Sequence, residues 1–149
     1  MLIEIVKRPD GQGLLRCTRD DGTVAWQKQK HAVHFAHHDI THYVVETTLC
    51  LREAFFGLVN QGWEFWDTTG KGDRGPVPPE AALAEYLVGL LDGERASGTI
   101  WTLEEIHQSL PAACPKPTAE ALATIRQRRS ELFQQWAAVP VGKALELRF

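Results

Sequence analysis

Residues 39–63 read as one helix that is apolar on two sides. Ile40, Tyr43, Val44, Leu51, Phe55 and Leu58 share one stripe, while Val45, Leu49 and Phe56 lie across from it. A helix resting on a protein surface needs one apolar stripe, so a helix with two has to be enclosed by the rest of the chain. The flanking segments are therefore expected to wrap it. Gly57 and Gly62 are expected to end or bend it.

Both ends of the chain read as β-structure. Residues 2–8, 14–18 and 23–28 are apolar or alternating runs separated by Pro9-Asp10-Gly11 and Asp20-Asp21-Gly22. Asp-Gly supplies the positive φ angles of a tight hairpin, so these runs predict a three-stranded antiparallel meander. Residues 143–149 alternate strictly, with Leu145, Leu147 and Phe149 toward a core and Glu146 and Arg148 toward water. They are expected to add a fourth strand to the same sheet. Three more helices follow the central one. The first starts at Pro78-Pro79-Glu80, carries Leu83, Tyr86, Leu87, Leu90 and Leu91, and stops at Gly93. Thr102-Leu103-Glu104-Glu105 is a capping box that opens a short helix. Thr118 caps the last, whose apolar face is Leu122, Ile125, Leu132 and Trp136. The expectation is an α+β fold: a small antiparallel sheet packed with about four helices, one of them central and buried.

At 149 residues, a chain folds as one domain and buries roughly 70% of its unfolded surface. Residues 1–149 are therefore read as a single domain, with exposed loops over 68–76 and 111–117. Sixteen Lys and Arg against nineteen Asp and Glu leave a net charge of −3. That balance disfavours nucleic acid and anionic membrane as partners. No apolar run approaches the roughly 18–20 residues of a membrane span. The opening residues read as a strand rather than a secretory signal. Cys17, Cys50 and Cys114 are an odd, scattered set that fits neither a disulfide framework nor a paired-cysteine zinc site. They are expected as buried or half-buried thiols of a cytoplasmic protein. Of the five tryptophans, none forms a stripe, and packing roles are expected for them.

Five of the six histidines fall between residues 31 and 42. On a helix His38, His42 and Glu46 stand one turn apart in succession. Neighbouring pairs at that spacing lie about 6 Å apart, close enough to share a divalent ion. Eight residues rise about 12 Å along a helix, so one ion would take two of the three and complete its shell elsewhere. His38 and His42 are the better pair, with Asp39 as an oxygen ligand or a partner that orients a ring. His31 and His34 precede them and could fold back onto the ion. The competing expectation is purely structural: Asp39 sits where the helix should begin and is a good N-cap, with His37 and His38 just outside it. Glu53 lies on nearly the face of His42 and is the one weak candidate for a catalytic base. Eleven residues of straight helix hold it about 16 Å away, and an arginine partner is the blander expectation.

Other motifs fail. Gly11-Gln12-Gly13 has no following helix to receive a phosphate, and Gly70-Lys71-Gly72 lacks the Ser/Thr and the upstream glycine of a phosphate loop. The run Arg126-Gln127-Arg128-Arg129 is expected as a solvated helix face, with RNA binding a weak alternative.

His38-Asp39-Ile40-Thr41-His42 resembles the His-Asp-x-x-His zinc motif of the ubiquinone-biosynthesis scaffold proteins. That largely helical family places a Glu twelve positions after its second His, whereas Glu53 falls eleven after His42, and no quinone function is carried over. A wider resemblance covers roughly residues 1–63. Asp21-Gly22 with Trp26, then His38 to Glu46, then Leu51-Arg52-Glu53-Ala54-Phe55-Phe56-Gly57 look like small bacterial proteins of unknown function; this implies no activity. The leading expectation is thus a zinc-like divalent-metal site at His38 and His42, with Asp39 or Glu46. The alternative is a non-catalytic interaction or structural protein, perhaps a homodimer, whose histidines are structural.

Overall fold

The computed structural model describes residues 1–112 and 114–149. The meander forms as β1 (Leu2–Lys7), β2 (Gly13–Thr18) and β3 (Val24–Gln29). β4 (Ala144–Arg148) joins the free edge of β1 and completes an antiparallel sheet of order β3-β2-β1-β4. Ile5 sits between Leu15 and Leu145, and Ile3 between Cys17 and Leu147, all buried. This row faces the helices. Trp26 and Val24 lie on the opposite, open face and are exposed.

Five α-helices follow among the described residues: α1 (Ala32–Leu49), α2 (Phe55–Asn60), α3 (Pro79–Ser97), α4 (Leu103–Ser109) and α5 (Ala119–Ala138). A single 3-10 turn spans Asp67–Thr69. The fold is α+β. The central helix is α1, which packs against β2, α3 and α5. Ile40, Val44 and Val45 on it are fully enclosed.

The expected single helix over 39–63 is two helices, and it begins earlier. α1 starts at Ala32 behind His31, which makes no side-chain cap. Asp39 is therefore a buried mid-helix residue rather than an N-cap, and His37 and His38 lie inside the helix. Ala32 and Ala36, both buried, let the first turns run close to neighbouring chain, and packing outweighs the missing cap. The helix ends where Cys50 takes φ +56° and the Leu51 N–H returns to Glu46 O at 2.9 Å. α2 begins at Phe55, after the short link 50–54. Gly57 does not end a helix; a Cβ there would lie 2.1 Å from the carbonyl oxygen of Arg52. The first turn of α2 thus presses directly on the chain leaving α1.

Several side chains lock the layers. The Lys7 ammonium donates to the carbonyls of Trp136 and Ala137 at 3.1 Å each and lies over the Trp136 ring, closing the end of α5. Buried Arg19 donates to Val59 O, Trp63 O and Glu64, fastening β2 to the exit of α2. Thr102 and Glu105 form the expected capping box, and Thr118 accepts from the Ala121 N–H.

All three cysteines are free. Cys17 is buried and its thiol is pushed up to about 12 by that burial. Cys50 is exposed, contrary to expectation, because the left-handed residue that ends α1 projects away from the core. Trp136 is core, whereas Trp66 is exposed. Ala113, within the expected 111–117 loop, lies outside the described residues.

Gly57→Ala should drive a methyl into the Arg52 carbonyl. Overpacking of this kind costs about 1–3 kcal/mol, so a matching fall in the urea midpoint is expected; an unchanged midpoint would show that the approach of α2 to Arg52 is looser than described.

Candidate metal centre

One face of α1 carries His38 and His42, and the face of α3 opposite them carries Asp92 and Glu85. His38 Nδ1 lies 3.0 Å from Asp92 Oδ2, and His42 Nε2 lies 3.5 Å from Glu85 Oε1. The pairing of 38 with 92 and 42 with 85 means that the two helices run in opposite directions along this seam. The imidazoles meet edge to face, with centroids 4.7 Å apart. A ligating nitrogen from each ring and a carboxylate oxygen of Glu85 all lie within 4.8 Å of one another. Tetrahedral zinc, with bonds of about 2.0–2.2 Å, spaces such atoms about 3.3 Å apart. Glu85 is exposed on α3 and has room to swing the remaining distance.

The other nitrogen of each ring is already taken. Asp92 holds His38 Nδ1, and Glu46 Oε1 holds His42 Nδ1 at 3.2 Å. Glu46 is itself fixed, since its Oε2 accepts the Phe56 N–H at 2.9 Å. Each imidazole is thus oriented by one carboxyl group, which leaves its Nε2 to face outward. A carboxylate behind a histidine fixes its tautomer and raises its basicity toward a metal.

The two histidines are pushed in opposite directions. Burial opposes protonation of His38, yet the Asp92 hydrogen bond and the charges of Asp39 and Glu85 outweigh it and raise its pKa. Burial likewise opposes ionisation of Asp92, but His38, Arg95 and Arg129 hold it below the ordinary carboxylate value. His42 is driven down to about 4 by burial. Glu46 is driven up to about 8 by burial, against the backbone N–H groups of Phe56, Gly57 and Phe55. Burial thus favours the uncharged form of both members of the His42–Glu46 pair, and a cation at His42 Nε2 would favour the form in which Nδ1–H donates to the Glu46 carboxylate.

The cluster opens on a cavity of about 430 Å³ whose walls include Phe35, Phe55, Phe65, Val77, Thr68 and Thr69. Thr68 and Thr69 come from the predicted 68–76 loop and Val77 directly follows it, so this stretch forms one wall of the site. The walls are mainly apolar with a few hydroxyls, which suits a small organic molecule better than a polyion.

The structure sorts the candidate residues. His38 and His42 converge as expected. Glu46 does not join the convergent set; it stands behind His42. Asp39 borders the cavity, but its Oδ2 accepts from Gln29 Nε2 at 2.7 Å, so it too stands outside the set. Glu53 is exposed on the link between α1 and α2, where its N–H donates to Glu80. The break at Cys50 turns it off the His42 face, and no arginine partners it among the described residues. His37 packs on Phe133, with ring centroids 4.1 Å apart. Glu85 and Asp92 are the two residues that sequence reasoning missed. They stand seven positions apart beside the apolar stripe of α3, and nothing local shows that this edge faces the histidines of α1.

No family model, curated protein or solved structure matches this chain.

Asp39 supplies a test of the buried electrostatics. Burial raises its pKa from 3.8 to about 6, against the Gln29 hydrogen bond. Below 3.8 the acid is protonated whether the chain is folded or not, so it carries no penalty there. Between 3.8 and about 6 the unfolded chain releases the proton first, and stability falls by about 3 kcal/mol as pH rises. Asp39→Asn removes that loss. The variant should match wild type near pH 3.5 and exceed it by about this amount at pH 7 in denaturant melts; a stability difference that does not change with pH would refute the assignment.

Proposed function

We propose that this protein binds one zinc-class divalent cation through His38, His42 and Glu85, and uses it to activate water against a small, partly apolar substrate in the adjoining cavity. The observation that carries the reading is the pair of carboxyl groups behind the histidines. Asp92 and Glu46 each occupy Nδ1, so the ring nitrogens left for an ion are the two Nε2 atoms, of which His42 Nε2 already lies 3.5 Å from Glu85. Two histidines and one glutamate are a ligand set of catalytic zinc, with a fourth position left for water or substrate. A cation there would lower the pKa of its bound water or polarise a carbonyl. The chain's own part is to hold the rings in register, to keep water limited with Phe35, Phe55 and Phe65, and to release one proton from the His42–Glu46 pair to solvent on binding, so that Nδ1–H donates to the Glu46 carboxylate and Nε2 is free.

The rival reading is that the histidines are structural, and it draws on the same hydrogen bonds: each ring already has a carboxyl partner. Reconstitution separates the two. Stripped wild-type protein should take up about one zinc per chain by elemental analysis, and His42→Ala and Glu85→Ala should lose it. Glu46→Gln is the sharper probe. Its amide can still donate to His42 Nδ1 and accept from Phe56, so the fold stands, but the proton is then fixed on Nε2. Zinc affinity should fall roughly 10–100-fold without loss of thermal stability. Zinc that stays substoichiometric in the wild type and is unchanged in His42→Ala leaves the structural reading. Zinc-dependent hydrolysis of 4-nitrophenyl acetate, absent in His42→Ala, is the expected sign of water activation; stoichiometric zinc without it reduces the site to metal binding alone.

A further inference from the structure

The run Arg126-Gln127-Arg128-Arg129 is not a solvated face. Arg128 turns to α1, where it donates to Thr48 and lies over the Tyr43 ring. Arg126 and Arg129 turn the other way, toward the end of α3. There they meet Arg95 around a second cavity of about 350 Å³, with Ser130, Gly98 and Phe133 in its walls. The run, expected as a solvated face with RNA binding only a weak alternative, is therefore split between two sides of α5.

The three guanidinium groups are unevenly satisfied. Arg126 is consumed: it pairs with buried Glu94 and donates to Trp101 O at 2.7 Å. Arg129 is nearly buried, with 11% of its side chain exposed. Its Nη1 donates to Leu91 O at 2.7 Å, and its nearest carboxylate contact, Glu94, is 3.6 Å away. Of its five donors that one alone has an acceptor among the described residues. Arg95 has none; its Nε stands 3.7 Å from Asp92 Oδ1, beyond hydrogen-bond distance, and Asp92 has spent its other oxygen on His38. None of these unpaired donors is sealed from solvent, so they stay available to a ligand that enters the cavity.

The charge balance has the same sign. Glu94 neutralises one of the three arginines. Asp92 is shared with His38. A positive surplus remains, softened by the carbonyls at the end of α3. The donors approach from two helices, α3 and α5, and the guanidinium of Arg129 is braced against the Phe133 ring at 5.7 Å. Donors arriving from several directions on rigid supports suit a tetrahedral oxyanion, and the forked N–H groups of arginine suit phosphate oxygens.

We propose that the cavity between the end of α3 and α5 binds a phosphate group through Arg95 and Arg129, with Ser130 beside them and Arg126 held in place by Glu94. This site does not depend on a metal at His38 and His42. The phosphate is inorganic phosphate or a phosphomonoester with its organic part pointing out of the open side.

The test is titration of inorganic phosphate into metal-free, chelator-treated full-length protein at low salt, by calorimetry and by shifts of the arginine side-chain N–H resonances. Saturable one-to-one binding that moves the Arg129 signal is expected. Arg95→Ala disturbs no hydrogen bond of the fold and should weaken binding by about tenfold or more. Arg129→Lys, which keeps the charge but loses the fork, should weaken it similarly. Arg128→Ala should leave it unchanged, and so should His42→Ala. No saturation below about 10 mM phosphate (Kd of 1 mM being only about −4 kcal/mol), equal losses in Arg95→Ala and Arg128→Ala, or acetate binding as tightly as phosphate would each overturn the proposal. A phosphomonoester binding more tightly than inorganic phosphate points to the ester as the natural ligand; equal affinity points to the free ion.

Discussion

Glu46 is a fully enclosed carboxyl group with a task on each oxygen. One accepts the Phe56 N–H in the first turn of α2 and the other holds the ring of His42. The main chain of the same residue receives the Leu51 N–H that ends α1. A single position thus stops the central helix, sets the start of the next and orients a histidine at the candidate site. Burying an acid so deeply is costly, and its raised pKa expresses that cost. The cost is offset by a turn tight enough that Gly57 has to lack a Cβ.

The histidines of α1 are held in two electrostatic regimes one turn apart. His38 borders solvent and is paired with an ionised Asp92; His42 is sealed and paired with a neutral acid. Two groups of one chemical type are thus pushed in opposite directions side by side on one cavity, by burial in one case and by neighbouring charge in the other. Asp92 also faces Arg95, so α3 carries on one edge the groups that border both cavities.

The fold was largely legible because its signals are local. Asp-Gly turns, the alternation of residues 143–149, the Thr102 capping box and the Thr118 cap each follow from chemistry within a few residues, and each is where expected. The boundaries of α1 were not. Asp39 has the chemistry of a cap, and only the packing of Ala32 and Ala36 shows that the helix has already run two turns. The break at Cys50 has no glycine or proline to announce it; it follows from Glu46 and Gly57 acting together. The site was half legible. His38 and His42 share one face at helical spacing, which any helix guarantees. Glu85 and Asp92 depend on how α3 lies against α1, and no local pattern encodes that.

The neighbouring positions of β1 and β4 bear on how the chain acquires its shape during synthesis. Ile3 and Ile5 pair with Leu147 and Leu145, more than 130 residues away. Loops that long close slowly, and their entropy is lost before the contact returns anything. Until residues 144–148 are synthesised, one side of β1 has no partner, and an unpaired strand edge is a template for foreign strands. Lys7, on that same strand, holds the carbonyls at the end of α5 and so fixes the point from which the chain turns back into β4.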